Sequence, residues 1–150
     1  MKNVLTKSAV LTTVVLLLLP VLFSFNAPWG GDIVRVYLND QMVMEQYLYK
    51  KESVKEVDLS QAAPADRLSV VYSHCGSMGT HRSLTLRNQQ DKLLKKWTYA
   101  DKGQYLTCSV NDLLRLSKPN QPVRVYYQSN ELPEGKWVAT LRAPGIAVSP

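Results

Sequence analysis

The sequence predicts a mainly β protein: an antiparallel two-sheet β-sandwich of about eight or nine strands with one short helix, preceded by an N-terminal apolar export or anchor helix. Three observations carry this. Apolar residues alternate with polar ones in short runs from residue 32 onward. Turn residues interrupt those runs about every ten positions. The first 27 residues hold no acidic side chain and only two basic ones, Lys2 and Lys7, around a long aliphatic stretch.

The N-terminal stretch reads as a basic n-region followed by an h-region, the pattern of a secretory signal. Its centre is Val14-Val15-Leu16-Leu17-Leu18-Leu19, interrupted at Pro20. Aliphatic side chains partition into lipid while the leading lysines stay on the cytoplasmic face. A cut after Ala27 would place bulky Phe25 at the other recognition position, and a cut after Ser24 would place Leu22 there. Residues 8–25 are also at the short end of a bilayer span. Both a cleaved signal and a retained membrane anchor therefore stay open. No cysteine follows the apolar run, so lipoprotein attachment is excluded. The expected division is 1–31 signal or anchor, 32–143 sandwich domain and 144–150 tail.

Composition narrows the class of partner. The net charge is +6, and removing Lys2 and Lys7 leaves 16 basic against 12 acidic residues, or +4, for the rest. Those basic residues are scattered among acids and apolar positions. A nucleic-acid binder concentrates them on one stripe or helix, so no nucleic-acid partner is expected.

The strands follow in order. Val34, Val36 and Leu38 alternate with Ile33, Arg35 and Tyr37, and Asn39-Asp40 supplies a turn. Gln41–Tyr49 returns with Met42, Met44, Gln46 and Leu48 on one face, completing a hairpin. Val54–Leu59 is a short strand. Arg67–Ser73 aligns Leu68, Val70 and Tyr72, and Ser83–Arg87 turns Leu84 and Leu86 inward. Leu93–Tyr99, Gln104–Cys108, Val123–Ser129 and Lys136–Arg142 complete the set, with 130–135 read as a turn carrying solvated Glu131 and Glu134. Ser109 ahead of Val110-Asn111-Asp112 resembles a helix cap, and Leu113, Leu114 and Leu116 predict a short helix ending before Pro119.

Cys75 and Cys108 are the only cysteines. In an oxidising compartment such a pair is expected to be bridged, closing a loop worth about 3–4 kcal/mol on the chain-entropy argument.

One loop concentrates side chains with chemistry. Residues 73–81 hold both histidines, His74 and His81, together with Cys75 and Met78. Imidazole, thiolate and thioether suit copper, and Gly76 and Gly79 allow the loop to fold back. A Cys75–Cys108 bridge would remove the thiolate and leave His74, Met78 and His81. No Gly-x-Ser-x-Gly elbow is present, and His74 and Cys75, adjacent on an extended chain, point apart. No catalytic residue or cofactor is assigned. Outward-facing aromatics, drawn from Trp97, Trp137, the Tyr126-Tyr127 pair and Tyr47 with Tyr49 on the face opposite the methionines, are the candidates for stacking on sugar rings.

The expectation is thus a non-enzymatic module of the cell envelope or extracellular space that contacts an envelope protein. Copper handling through the 74–81 loop and carbohydrate binding through strand aromatics are the alternatives.

Overall fold

A computed structural model describes residues 31–48, 54–118 and 121–143. The expected export or anchor segment, its membrane contact through residues 8–25 and the expected tail lie outside the described residues.

The described chain is mainly β with one short helix. Its elements are β1 (Asp32–Leu38), β2 (Gln41–Tyr47), β3 (Glu56–Asp58), β4 (Arg67–His74), β5 (Ser83–Arg87), β6 (Leu93–Thr98), β7 (Leu106–Ser109), α1 (Val110–Leu116), β8 (Val123–Ser129) and β9 (Leu132–Arg142). They form a four-stranded sheet ordered β2-β1-β4-β7 and a five-stranded sheet ordered β3-β9-β8-β5-β6.

The core-facing side chains of the central strands are mainly apolar. Val34 and Val36 of β1, Leu68 and Val70 of β4, Leu84 and Leu86 of β5, and Val138, Ala139 and Leu141 of β9 are buried. With Val110 and Leu113 of α1 they belong to one hydrophobic cluster drawn from both sheets. Truncating one of the large members, such as Leu86→Ala, is worth about 2–5 kcal/mol. Across the sheets, the rings of Tyr72 and Tyr127 lie 4.3 Å apart at an interplanar angle of 31°.

Four local features depart from the sequence-based reading. The β1–β2 ladder slips: Val36 pairs with Met44 and Tyr37 with Met42, leaving Val43 as an extra residue on β2. An extra residue reverses side-chain facing beyond it. Met44 and Leu48 are therefore buried while Met42 is 51% exposed, and the single methionine face is not formed.

β9 begins at Leu132, so only Asn130 and Glu131 turn the chain, and Leu132–Gly135 belong to the strand. A register shift between Tyr127 and Ser129, with Gly135 at φ +73°, absorbs the surplus residues.

β3 runs parallel to β9, pairing Glu56 with Thr140, while every other strand pair is antiparallel. Strands so distant in sequence share no hairpin, and nothing local dictates their relative direction.

Ser109 occupies the N-cap of α1 in extended conformation without a side-chain cap bond. Instead Val110 N–H donates to the Asp66 carbonyl at 3.0 Å.

The expected disulfide is not formed, and the geometry explains why. Cys108 pairs with Leu68 near the start of β4, whereas Cys75 follows the far end of the same strand. Six strand residues separate those levels, about 20 Å at ~3.3 Å per residue, against the roughly 7 Å that a disulfide tolerates between Cα atoms. Cys75 is exposed and Cys108 buried. Burial pushes the Cys108 thiol up to about 12, so it stays protonated at neutral pH.

Candidate functional site

The loop from β4 to β5 is built from tight local geometry. His74 and Ser77 exchange backbone hydrogen bonds of 2.8 Å in each direction. Cys75 and Gly76, between them, both have positive φ, at 50° and 82°. Two positive φ values mark the I′ turns that match the twist of paired strands. Gly79 follows at φ +71°, and a Cβ there would fall 2.6 Å from Glu131 Oε2 and 2.8 Å from Ser129 Oγ. Only glycine lets the loop come this close to the β8–β9 turn.

That turn grips the loop. Glu131 accepts from the Thr80 backbone amide at 2.8 Å and from the Thr80 hydroxyl at 2.9 Å. These donors, the Thr80 amide foremost, hold the Glu131 carboxyl down at about 2. Asn130 N–H donates to the Thr80 carbonyl at 2.9 Å, and the Tyr127 hydroxyl donates to the Met78 carbonyl. The His81 amide donates to Asp101 Oδ1 at 2.6 Å.

The histidine rings have separate partners. His74 Nδ1 meets Asp32 Oδ1. An ionised carboxylate only accepts, so Nδ1 carries the proton and Nε2 is the ring atom left for solvent or a ligand. The second Asp32 oxygen accepts from Lys136 Nζ. Asp32 is itself buried, and burial lowers the Lys136 pKa. His81 Nδ1 lies 2.8 Å from Asn130 Nδ2 and 3.8 Å from Asp101 Oδ2.

The four residues expected to gather around copper are therefore divided. His74 and Met78 line a cavity of about 100 Å³ together with Tyr72, Ser77, Tyr127 and Leu132. His81 lines a separate, polar depression with Lys96, Gln128 and Asn130. Cys75 sits in the I′ turn and lines neither. Among the described residues, no three His, Cys, Asp or Glu side chains are grouped so as to hold a metal ion.

Three of the aromatics, Tyr126, Trp97 and Trp137, carry a cation, whereas Tyr47 and Tyr105 are exposed and Tyr49 lies outside the described residues. Tyr126 faces out while Tyr127 is buried, as alternation requires. The Arg87 guanidinium lies over the Tyr126 ring at 4.9 Å, Arg124 over Trp137 at 4.9 Å, and Lys95 Nζ over Trp97 at 5.2 Å. Each cation occupies a ring face on which a sugar would stack.

Sequence reasoning missed Asp32, Lys136, Tyr72 and Glu131 as members of this region. Asp32 left a signal: it shares the parity of Val34 and Val36, so alternation alone places its carboxylate on the core face of β1. Glu131 left none, because its partner Thr80 is remote in sequence.

Besides Met78 in the loop, the exposed large apolar side chains among the described residues include Leu93 of β6, Tyr105 and a group on β2. Met42, Val43 and Tyr47 of edge strand β2 are 51%, 45% and 52% exposed. The charge of Glu45 on that strand is engaged by Arg35 at 2.5 Å. Edge strand β6 exposes Leu93 at 52% but also carries Lys96 beside Lys95, the latter paired with Asp112 at 2.6 Å, and lysine on an edge blunts it against pairing.

No family model matches this chain, and no curated protein is significantly similar to it.

Proposed function

We propose that this chain is a non-enzymatic, exported β-sandwich module that acts through protein–protein contact, with edge strand β2 as the contact strip. The observation that carries the reading is the β2 surface: three large apolar side chains exposed on one seven-residue edge strand. An edge strand can pair with a further strand, and its exposed apolar side chains supply selectivity; on β2 the Glu45 carbonyl already accepts from Lys55 Nζ at 3.0 Å. The 74–81 loop supports the reading indirectly. Its turn geometry, the Asp32 bond to His74 and the Glu131 clamp on Thr80 serve to hold the loop in place, which suits a scaffold better than a reaction centre. Export is the expectation from residues 1–27, and an envelope protein is the partner class that follows from it.

Charge on the strip tests this reading. Met42→Lys with Val43→Lys adds edge-blunting charge to β2, while Leu93→Lys does the same on β6. Wild type is expected to recover an envelope protein in pull-downs, the first variant to lose it and the second to retain it. Equal retention by both would refute the assignment of β2.

A further inference from the structure

A self-complementary surface lies on the outer face of the four-stranded sheet. Val34 and Val36 of β1 point into the core, so Ile33, Arg35 and Tyr37 point away from it. The ladder sets Tyr47 of β2 beside Ile33, Glu45 beside Arg35 and Met42 beside Tyr37. Cross-strand partners share a face, so these side chains form a patch two columns wide. Met42 and Tyr47 are exposed, and the Arg35–Glu45 pair is also partly in solvent. Tyr105 packs edge-on against Tyr37, with ring centroids 5.4 Å apart at 79°, which braces that ring.

The patch is apolar at both ends and carries one opposite-charge pair between them. Consider a twofold axis in the plane of the contact, running along the strands between β1 and β2. It exchanges the two columns, so each side chain meets its own cross-strand partner from a second copy. Arg35 then faces Glu45, Tyr47 faces Ile33 and Tyr37 faces Met42. An axis across the strands would set Arg35 against Arg35, so charge selects the first arrangement. An isologous dimer requires this kind of self-complementary patch.

We propose that two copies of this chain associate sheet on sheet through this face, with their Arg35–Glu45 pairs joined in one four-charge network. Interface cores favour tyrosine, methionine and arginine, and stacked sheets sit about 10 Å apart. Three pairs of side chains per copy are far fewer than the roughly 20–30 residues of a standard interface, so a dissociation constant on the order of 10–100 μM is expected. Met42 and Tyr47 also belong to the β2 strip, so the dimer and the partner proposed for that strip exclude one another.

Sedimentation equilibrium of the purified full chain, run below and above that concentration range, tests the dimer with no partner present. The wild type is expected to pass from one chain mass to two. Arg35→Glu and Glu45→Arg each gather four like charges at the centre of the contact, and each is expected to weaken association roughly tenfold or more. An equimolar mixture of these two variants sets acids against bases and is expected to recover the dimer. The chain carrying both substitutions rebuilds its own ion pair as well and is expected to dimerise like the wild type. Circular dichroism reports that each variant is folded. A wild type that stays monomeric, single variants that dimerise as it does, or failure of either combination to recover the dimer would overturn the proposal.

Discussion

Asp32 at the head of β1 and Lys136 on β9 form an ion pair that crosses from one sheet to the other. The same carboxylate holds His74, so three elements meet on one buried acid. Removing one member leaves the other desolvated without its counter-charge. Because Lys136 keeps about a third of its side-chain surface in solvent, Asp32→Ala is expected to cost about 2–3 kcal/mol, below the roughly 3–5 kcal/mol of a fully buried pair. Urea denaturation of Asp32→Ala, Lys136→Met and the double variant checks it. The double variant is expected to lose less than the sum of the two single losses.

Gly79 and Gly76 separate backbone strain from collision. Both have positive φ, but a Cβ at Gly76 meets nothing within 4 Å, whereas one at Gly79 strikes Glu131 and Ser129. Gly76→Ala is expected to cost about 1–2 kcal/mol, the ordinary penalty of left-handed backbone. Gly79→Ala is expected to cost more and to release Thr80 from Glu131. Denaturation midpoints of the two variants rank them directly.

Acid should loosen the same clasp. The Glu131 carboxyl lies at about 2 in the folded chain against 4.5 ordinarily, so the unfolded chain binds its proton first as pH falls. Its stabilising contribution is present above about pH 4.5 and is lost as pH drops toward 2. Glu131→Gln is therefore expected to melt below the wild type at pH 7, with the gap closing across that window. A gap independent of pH would contradict the clasp.

The cysteines are expected to react differently. Cys75 should take up a thiol reagent in the native protein, while Cys108, buried and protonated, should react only after unfolding. Mass spectrometry of the unreduced protein is expected to show both cysteines carrying hydrogen. A mass lower by two hydrogens would restore the disulfide.

Much of the fold was legible because alternation acts locally. Val34 and Val36, Leu68, Val70 and Tyr72, and Leu84 and Leu86 all face inward as their spacing requires. What was not legible depends on pairing between strands. The extra residue at Val43 turns Met42 out, and only the ladder with Val36 and Tyr37 reveals it. The cysteines looked like partners because compartment chemistry favours a bridge, but the register of Cys108 against Leu68 puts them at opposite ends of β4. The donor-rich loop suggested a metal because its residues are neighbours in sequence. In space, Asp32 holds one histidine and Asn130 the other, and two different surface depressions receive them.

The central claim, that β2 is the surface through which this chain meets a protein partner, is tested most directly by site-specific photo-crosslinking in intact cells. A benzophenone side chain is placed at position 43 on β2, with a second at exposed position 115 on α1 for comparison. One discrete heavier adduct from position 43, absent from position 115, is the expected result. Adducts of equal yield from both positions, or none from position 43, would contradict the account.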